Sequence, residues 1–188
     1  MRKVIALEHM SLDGFCAGPN GEMDWIVVDN EIFDVVAPIT DKADTALYGR
    51  ITYGMMEGYW PTAASQPDAS KHDIEHSNWY NAVTKIVCTK TLKNDAPPNT
   101  RFIGENIPQE IERLKAQPGR NILLIGSLSV AQLLSAHGII DEYWINVNPV
   151  VLGQGTPLFQ QTDRLNLRLI ESRTFKAGVT TLHYETVR

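Results

Sequence analysis

The order of apolar and polar positions along the chain predicts strands that alternate with helices. Short apolar runs predict five strands, at residues 2–9, 43–48, 85–89, 122–125 and 143–147. Apolar residues at helical spacing predict five helices, at residues 29–41, 51–56, 74–83, 107–115 and 128–136. Such alternation is typical of an α/β fold, doubly wound, in which a mostly parallel sheet carries helices on both faces.

The C-terminal part of the chain follows a different pattern. Residues 167–175 and 179–187 alternate with period two and are joined by Lys176-Ala177-Gly178, which predicts an antiparallel hairpin added to the sheet. Residues 61–70 are polar and rich in turn formers, so we expect a surface loop, and residues 95–99 predict a connector. Because no repeat or linker divides the chain, we expect residues 1–188 to form a single domain.

Composition excludes several classes of partner. Lys and Arg number 17 against 22 Asp and Glu, and no basic stripe is present, so we expect no nucleic-acid partner. No apolar stretch is long enough to cross a bilayer, and the N-terminal apolar run is too short for a signal peptide, so we expect no membrane partner. Cys16 and Cys88 form no Cys-x-x-Cys pair, and we predict that both are reduced thiols in a cytoplasmic protein.

The turn at Gly126 and Ser127 carries the most informative chemistry. It follows the predicted strand 122–125 and opens the predicted helix that begins with Leu128 and Ser129. Glycine lets a ligand approach the backbone closely, and a helix N-terminus offers free N–H groups and a positive dipole end. This combination suits a phosphate or pyrophosphate. The alternative is an ordinary turn with Ser127 or Ser129 near the N-cap.

Two other predicted strands end in similar chemistry. The predicted strand 43–48 is followed by Gly49, Arg50 and Thr52, and the predicted strand 85–89 ends at Thr89 and is followed by Lys90. Ligands of open α/β sheets gather beyond the carboxyl ends of the parallel strands, so these residues predict a groove for two or three phosphates, as in a dinucleotide. A solvated Arg50 and a solvated loop remain the alternatives. No Gly-x-Gly-x-x-Gly fingerprint and no Walker-type loop follow a predicted strand.

Three carboxylates are candidate proton donors. Asp13 lies on the turn after the first strand, and Asp29 and Glu31 lie at the start of the helix 29–41. The alternative for Asp13 is a bond to its own turn backbone, and the alternative for Asp29 is capping of the helix.

Aromatic and histidine side chains offer two further readings of the surface. Four aromatic residues could line a pocket for a flat heterocycle: Trp25, Trp60, Trp79 and Tyr80. Aromatic residues at such positions more often belong to the hydrophobic core. His72 and His76, at i and i+4, could face a zinc ion, but we expect a solvated polar helix and no metal site.

The ordered set of motifs resembles dihydrofolate reductase-like proteins. The resemblance is closest to the C-terminal reductase domain of the bifunctional deaminase–reductase of riboflavin biosynthesis, in a stand-alone form that lacks the deaminase zinc signature. It covers nearly the whole chain. The motifs are Ser11-Leu12-Asp13-Gly14, Asp24-Trp25, Gly49-Arg50-x-Thr52-Tyr53, Tyr59-Trp60-Pro61, residues 85–92, Gly126-Ser127 and residues 141–155.

This resemblance implies an NADPH-dependent reductase, often dimeric, that acts on a pteridine-like or ribosylaminopyrimidine-like molecule. A carboxylate that follows the early Trp in dihydrofolate reductase would fall on Asn30, between Asp29 and Glu31. A sensor that binds NADPH without turnover, and a hydrolase built on the same sheet, are the alternatives. The implied cofactor contacts are Gly49, Arg50 and Thr52 to phosphates, Thr89 and Lys90 to the adenosine 2′-phosphate, residues 126–129 to the pyrophosphate, and Trp25 to the nicotinamide.

Overall fold

The fold is built on one large sheet and six helices, in a computed structural model that describes residues 1–92, 96–160 and 163–188. The predicted connector 95–99 begins outside the described residues. The strands are β1 (Val4–Ser11), β2 (Phe15–Ala17), β3 (Ala43–Gly49), β4 (Thr84–Cys88), β5 (Thr100–Ile103), β6 (Asn121–Ile125), β7 (Glu142–Asn148), β8 (Thr156–Pro157), β9 (Leu167–Thr174) and β10 (Thr180–Thr186). The helices are α1 (Asn30–Asp41), α2 (Arg50–Glu57), α3 (Trp60–Ala63), α4 (Lys71–Ala82), α5 (Ile107–Ala116) and α6 (Leu128–Ala136).

Eight strands form the main sheet in the order β5-β4-β3-β6-β1-β7-β10-β9. The six strands from β5 to β7 are parallel, whereas β10 runs antiparallel to β7 and β9 runs antiparallel to β10. The predicted mostly parallel sheet with an antiparallel C-terminal hairpin is therefore confirmed. All the carboxyl ends of the parallel strands lie at one edge of this sheet.

Helices cover both faces of the sheet, as predicted. On one face, Val36 and Ile39 of α1 pack with Leu7 and Leu123 of the strands. On the other face, apolar residues of α5 and α6 pack against the alternate strand positions. This second cluster includes Val4, Ile122, Ile111 and Leu134. Successive strand residues point to opposite faces, so both faces of the central strands are buried and their sequences read as continuous apolar runs.

The structure corrects several predicted boundaries. Helix α4 begins at Lys71 and not at residue 74, because Ser70 and Asp73 form a capping box: Asp73 N donates to Ser70 Oγ at 3.1 Å, and Ser70 N donates to Asp73 Oδ2 at 2.9 Å. The predicted loop 61–70 contains most of the short helix α3. Strands β2, β5 and β8 were not predicted, since two to four residues are too few to show a period.

Two further features bear on the expectations from composition. Cys16 and Cys88 are both buried free cysteines, in agreement with the prediction of reduced thiols. Across the described ranges, every helix falls short of the length and apolar character needed to span a membrane.

Candidate functional site

A cavity of about 760 Å³ opens at the carboxyl edge of the parallel strands. Its walls come from the turns that follow β3, β4 and β6, from three consecutive residues of β1, and from helices α1 to α4 on one face. The turn residues that line it are Gly49, Arg50, Ile51, Thr52, Cys88, Thr89, Lys90, Thr91, Gly126, Ser127, Leu128 and Ser129.

The turns after β3 and β6 are tied to each other across this cavity. Gly49 N donates to Ser127 Oγ at 2.9 Å, and Thr52 Oγ1 donates to the carbonyl of Gly126 at 3.0 Å. This contact is possible because β3 and β6 are neighbours in the sheet, although the two turns are 78 residues apart in the chain. Both glycine-containing turns therefore face one cleft.

The helices that begin at these turns leave their first N–H groups without a side-chain cap. Gly49 is the N-cap residue of α2 and has no side chain. Ser127 is the N-cap residue of α6, but its hydroxyl accepts from Gly49 N and donates to the carbonyl of Ile125. Gly126 has a φ of +55°, a conformation that favours glycine. A Cβ there would meet only Thr52 Cγ2, at 3.9 Å, so the space in front of the turn is open. Two uncapped helix ends in one cavity suit an anion.

Cationic and hydroxyl side chains flank this open space. Arg50, the first residue of α2, and Lys90, two residues after β4, are exposed at the cavity wall. Thr89 is buried, and its Oγ1 accepts from the N–H groups of Thr91 and Leu92 at 3.2 and 3.1 Å, so its hydroxyl shapes the turn that presents Lys90. All the predicted cofactor residues except Trp25 line the cavity.

Trp25 stands apart from this set. Its Nε1 donates to the carbonyl of Glu22 at 3.0 Å, and the cavity is lined instead by its neighbours Met23 and Ile26. A nicotinamide contact through Trp25 stays a prediction that the described geometry does not favour.

The predicted acids do not line the cavity either. Asp13 accepts from Ser11 Oγ at 2.7 Å and from the N–H groups of Leu152 and Gly153, and these bonds lower its pKa. Asp29 caps α1 by accepting from Glu31 N at 2.7 Å, which is the capping alternative. Glu31 lies 3.8 Å from Lys176 Nζ. Their catalytic role is a prediction that these contacts do not favour, because none of the three carboxyl groups faces the cavity.

The carboxyl group that does line the cavity is that of Glu8, on the central strand β1. Its residue is 3% exposed, and its Oε1 has no hydrogen-bond partner within the described chain. Burial raises its pKa to about 8, because the charged form loses hydration and gains no compensating bond. Glu8 is therefore a neutral carboxylic acid at neutral pH, and it can donate a proton.

On the opposite face of β1, three histidines and three aromatic or apolar residues form what we call the histidine chamber. Its residues are His9, Phe33, Val36, Trp60, His72 and His76, all of which line the cavity. The rings of Phe33 and His72 stack at 3.6 Å, and the centroids of Trp60 and His76 are 4.1 Å apart. The expectation that His72 and His76 lie on a solvated helix is wrong, because α3 and α1 pack against this face of α4.

The described histidines of this chamber are not arranged as a group that could bind a metal ion. Within the ranges that the structure describes, no group of three or more His, Cys, Asp or Glu side chains could hold a metal ion. Burial instead keeps the chamber histidines neutral. It lowers the pKa of His9 to about 4 and that of His76 to about 3, and it also lowers the pKa of His72.

Sequence reasoning missed Glu8 and the chamber for different reasons. Glu8 and His9 stand next to each other in a strand that is otherwise apolar up to that point, and two polar residues there were a usable signal. The chamber has no such local signal, because its residues come from β1, α1, α3 and α4, and only the tertiary fold brings them together.

Known proteins share both the sequence pattern and the fold. The family model described as the RibD C-terminal domain matches residues 2–181. The chain is 34% identical over 186 residues to the uncharacterized protein YyaP of Bacillus subtilis (strain 168), which covers 97% of this chain and 94% of that protein.

Solved structures confirm the predicted dihydrofolate reductase-like fold. A protein of Shewanella sp. PV-4 assigned to riboflavin biosynthesis superposes with a TM-score of 0.74 at 23% identity, and the match covers 99% of both chains. A diaminohydroxyphosphoribosylaminopyrimidine deaminase/5-amino-6-(5-phosphoribosylamino)uracil reductase of Thermotoga maritima superposes with a TM-score of 0.68 at 13% identity, over 99% of this chain and 57% of that one.

Proposed function

The chain belongs to the RibD C-terminal domain family, and we propose that it is an oxidoreductase that uses NADPH to reduce a pteridine-like or ribosylaminopyrimidine-like heterocycle. One observation carries this proposal: the uncapped, glycine-containing turns after β3 and β6 converge on a cavity that also contains the neutral acid Glu8. The first feature suits a dinucleotide, and the second suits a reduction that consumes a proton.

The residues fit the phosphates of NADPH. The open space in front of Gly126 and the uncapped start of α6 suit the diphosphate, and the Arg50 guanidinium can add a charge-assisted bond. Lys90, presented by the Thr89 turn, suits the adenosine 2′-phosphate. The hydroxyl of Ser127 accepts from Gly49 N, so the role of this side chain is to hold the two turns together.

Glu8 is the residue that we assign as proton donor. Bound NADPH supplies a hydride to an electrophilic carbon. The substrate atom next to that carbon then needs a proton, and a carboxylic acid that remains neutral at neutral pH can deliver it. The low exposure of Glu8 also keeps bulk water away from that proton.

Titration of NADPH into the purified protein, followed by NADPH oxidation with a panel of heterocyclic carbonyl and imine compounds, tests the proposal. We expect saturable binding and turnover of at least one compound. Turnover should be lost in Glu8→Gln and kept in Asp13→Asn and Asp29→Asn. Binding without turnover across the panel would favour a sensor, and activity without any nicotinamide would favour a hydrolase.

We also propose that the protein is a homodimer. Strand β9 lies at the edge of the main sheet, and Leu169 and Ile170 on it are 49% and 46% exposed. Exposed apolar residues on an edge strand favour pairing with a second copy. Light scattering of the wild type and of Leu169→Lys tests this, and a wild-type mass of one chain would contradict it.

A further inference from the structure

The carboxyl group of Glu8 lies against an apolar part of the sheet. Ala6 and Met10 share its face of β1, because side chains two residues apart in a strand point to the same side. Ile145, which is 4% exposed, stands directly across from Glu8 on β7. Burial is the cause of the raised pKa of Glu8, and no charged side chain of the described chain contributes to it. The sheet around Glu8 therefore offers its Oε1 no hydrogen bond that would stabilise the ionised form.

Strand β2 packs on β1 and brings Cys16 to the cavity wall near Glu8. Phe15 N donates to Ser11 Oγ at 2.9 Å, and Ser11 Oγ donates in turn to Asp13 Oδ1 at 2.7 Å, so the end of β1 holds β2 in place. Cys16 is 7% exposed, and it lines the cavity together with Glu8. Burial and the charge of Glu8 raise the pKa of the Cys16 thiol, so the two groups interact and the thiol stays un-ionised.

The other polar groups of the described cavity wall are directed elsewhere. Arg50 and Lys90 belong to the turns that follow β3 and β4, and the three histidines of the chamber lie on the opposite face of β1. Gln132 Nε2 of α6 donates to a backbone carbonyl of β8 at 2.7 Å. Among the described side chains, the thiol of Cys16 is the titratable group whose pKa responds to the charge of Glu8.

We propose that Cys16 is a positioning residue for the proposed reaction: its thiol fills the space beside Glu8 without giving the carboxyl group a strong hydrogen bond, and so keeps Glu8 in the acid form that donates the proton. A thiol is a weak hydrogen-bond donor, whereas a hydroxyl in the same place would donate to the carboxylate and favour its ionised form. The inference rests on the proposed function, in which Glu8 is the proton donor. It adds the residue that sets the pH range in which this donor acts.

The test compares the pKa of Glu8 in the wild type and in Cys16→Ser. The infrared carbonyl stretch of protonated Glu8, identified by its absence in Glu8→Gln, follows the ionisation of this one residue as the pH rises. We expect the midpoint to lie at about 8 in the wild type and to fall by about one pH unit or more in Cys16→Ser, because the serine hydroxyl donates to the carboxylate.

Cys88→Ser is the matched control. Cys88 is also a buried free cysteine that lines the cavity, but burial alone raises the pKa of its thiol, with no contribution from Glu8. The midpoint of Glu8 in Cys88→Ser should therefore equal that of the wild type.

The pH profile of turnover gives a second readout. With a compound that the wild type reduces, turnover at saturating NADPH should decline about one pH unit lower in Cys16→Ser than in the wild type, while NADPH affinity is the same in both. A purely structural role of Cys16 would lower turnover by the same factor at every pH and leave the midpoint in place.

Three infrared results would overturn the inference: a wild-type midpoint near 4.5, an unchanged midpoint in Cys16→Ser, or an equal fall in Cys16→Ser and Cys88→Ser. If Cys16→Ser does not fold, the isosteric pair Cys16→Thr and Cys16→Val replaces it. The midpoint should then be lower in Cys16→Thr, which carries a hydroxyl, and equal midpoints in the pair would overturn the inference. If the proposed function fails, no heterocycle is reduced, but the infrared midpoints still decide whether Cys16 controls the ionisation of Glu8.

Discussion

Gly49 and Ser127 are joined by a hydrogen bond of 2.9 Å that fixes the start of α2 against the start of α6. Ser127 is 2% exposed, so bulk water cannot take the place of its hydroxyl as the acceptor for Gly49 N unless the surrounding structure moves. We predict that Ser127→Ala lowers the free energy of unfolding by about 1–3 kcal/mol, because Gly49 N is left buried without a partner. Urea unfolding measures this loss. Ser129→Ala, on an exposed serine of the same helix, should change stability by less, and an equal loss in both variants would contradict the assignment.

Arg50 is predicted to bind a cofactor phosphate. Its replacement in Arg50→Ala removes a charge-assisted bond and should weaken NADPH by about 1.5–3 kcal/mol. Because Arg50 is exposed, the free energy of unfolding should stay nearly the same. Fluorescence titration with NADPH measures the affinity. Arg113→Ala, on an exposed arginine of α5 outside this cavity, is the control and should leave NADPH affinity unchanged. Equal affinities of wild type and Arg50→Ala would remove Arg50 from the site.

Lys90 is predicted to select NADPH over NADH. The 2′-phosphate distinguishes the two cofactors, so Lys90→Ala should weaken NADPH and leave NADH almost unchanged. Thr89→Val should reduce the same preference indirectly, because Thr91 N and Leu92 N lose the acceptor that shapes the turn. Parallel titrations of both cofactors measure the ratio of affinities. If the wild type binds NADPH and NADH with equal affinity, Lys90 does not select between the two cofactors.

Glu8 makes the stability of the protein depend on pH in a defined direction. Its pKa is raised from 4.5 to about 8 in the folded state, so the folded protein keeps a proton that the unfolded chain releases. The stabilising effect of that proton is complete below pH 4.5 and is lost as the pH rises towards about 8. We predict that Glu8→Gln, which cannot ionise, gains stability relative to the wild type across this window.

Urea unfolding of the wild type and Glu8→Gln at several pH values measures this difference. The comparison cancels the opposite effect of His9 and His76, whose lowered pKa values remove stability as the pH falls below 6.5. Turnover by the wild type should also decline as the pH rises through about 8, while NADPH affinity does not follow it. A constant stability difference between the two proteins would show that Glu8 is not buried as a neutral acid.

The sequence pattern was sufficient to predict the glycine-containing turns of the site. A glycine between an apolar strand and a helix marks Gly49 and Gly126, and neighbouring parallel strands bring such turns to one edge of a sheet. The pairing of Gly49 with Ser127 was not predictable, because it depends on the strand order β3-β6. Asp13 and Asp29 were reasonable acids by position, but their environment in the fold makes them turn and cap residues. Glu8 was within reach of sequence analysis, because Glu8 and His9 interrupt the apolar run of β1, but its burial without a partner is a property of the fold.

The central claim is that the open space at Gly126, beside the uncapped start of α6, holds the diphosphate of NADPH, and a matched pair of glycine variants tests it directly. Gly126 and Gly138 have φ values of +55° and +64°, and a Cβ at either position meets no atom closer than 3.9 Å. Alanine at each should therefore cost a similar amount of stability, about 1–2 kcal/mol. Of these two glycines, Gly126 lines the cavity and Gly138 does not. In calorimetric titrations, we predict NADPH binding to the wild type and Gly138→Ala and a loss of about tenfold or more in Gly126→Ala. Equal NADPH affinity in both variants, or no binding to the wild type, would contradict the claim.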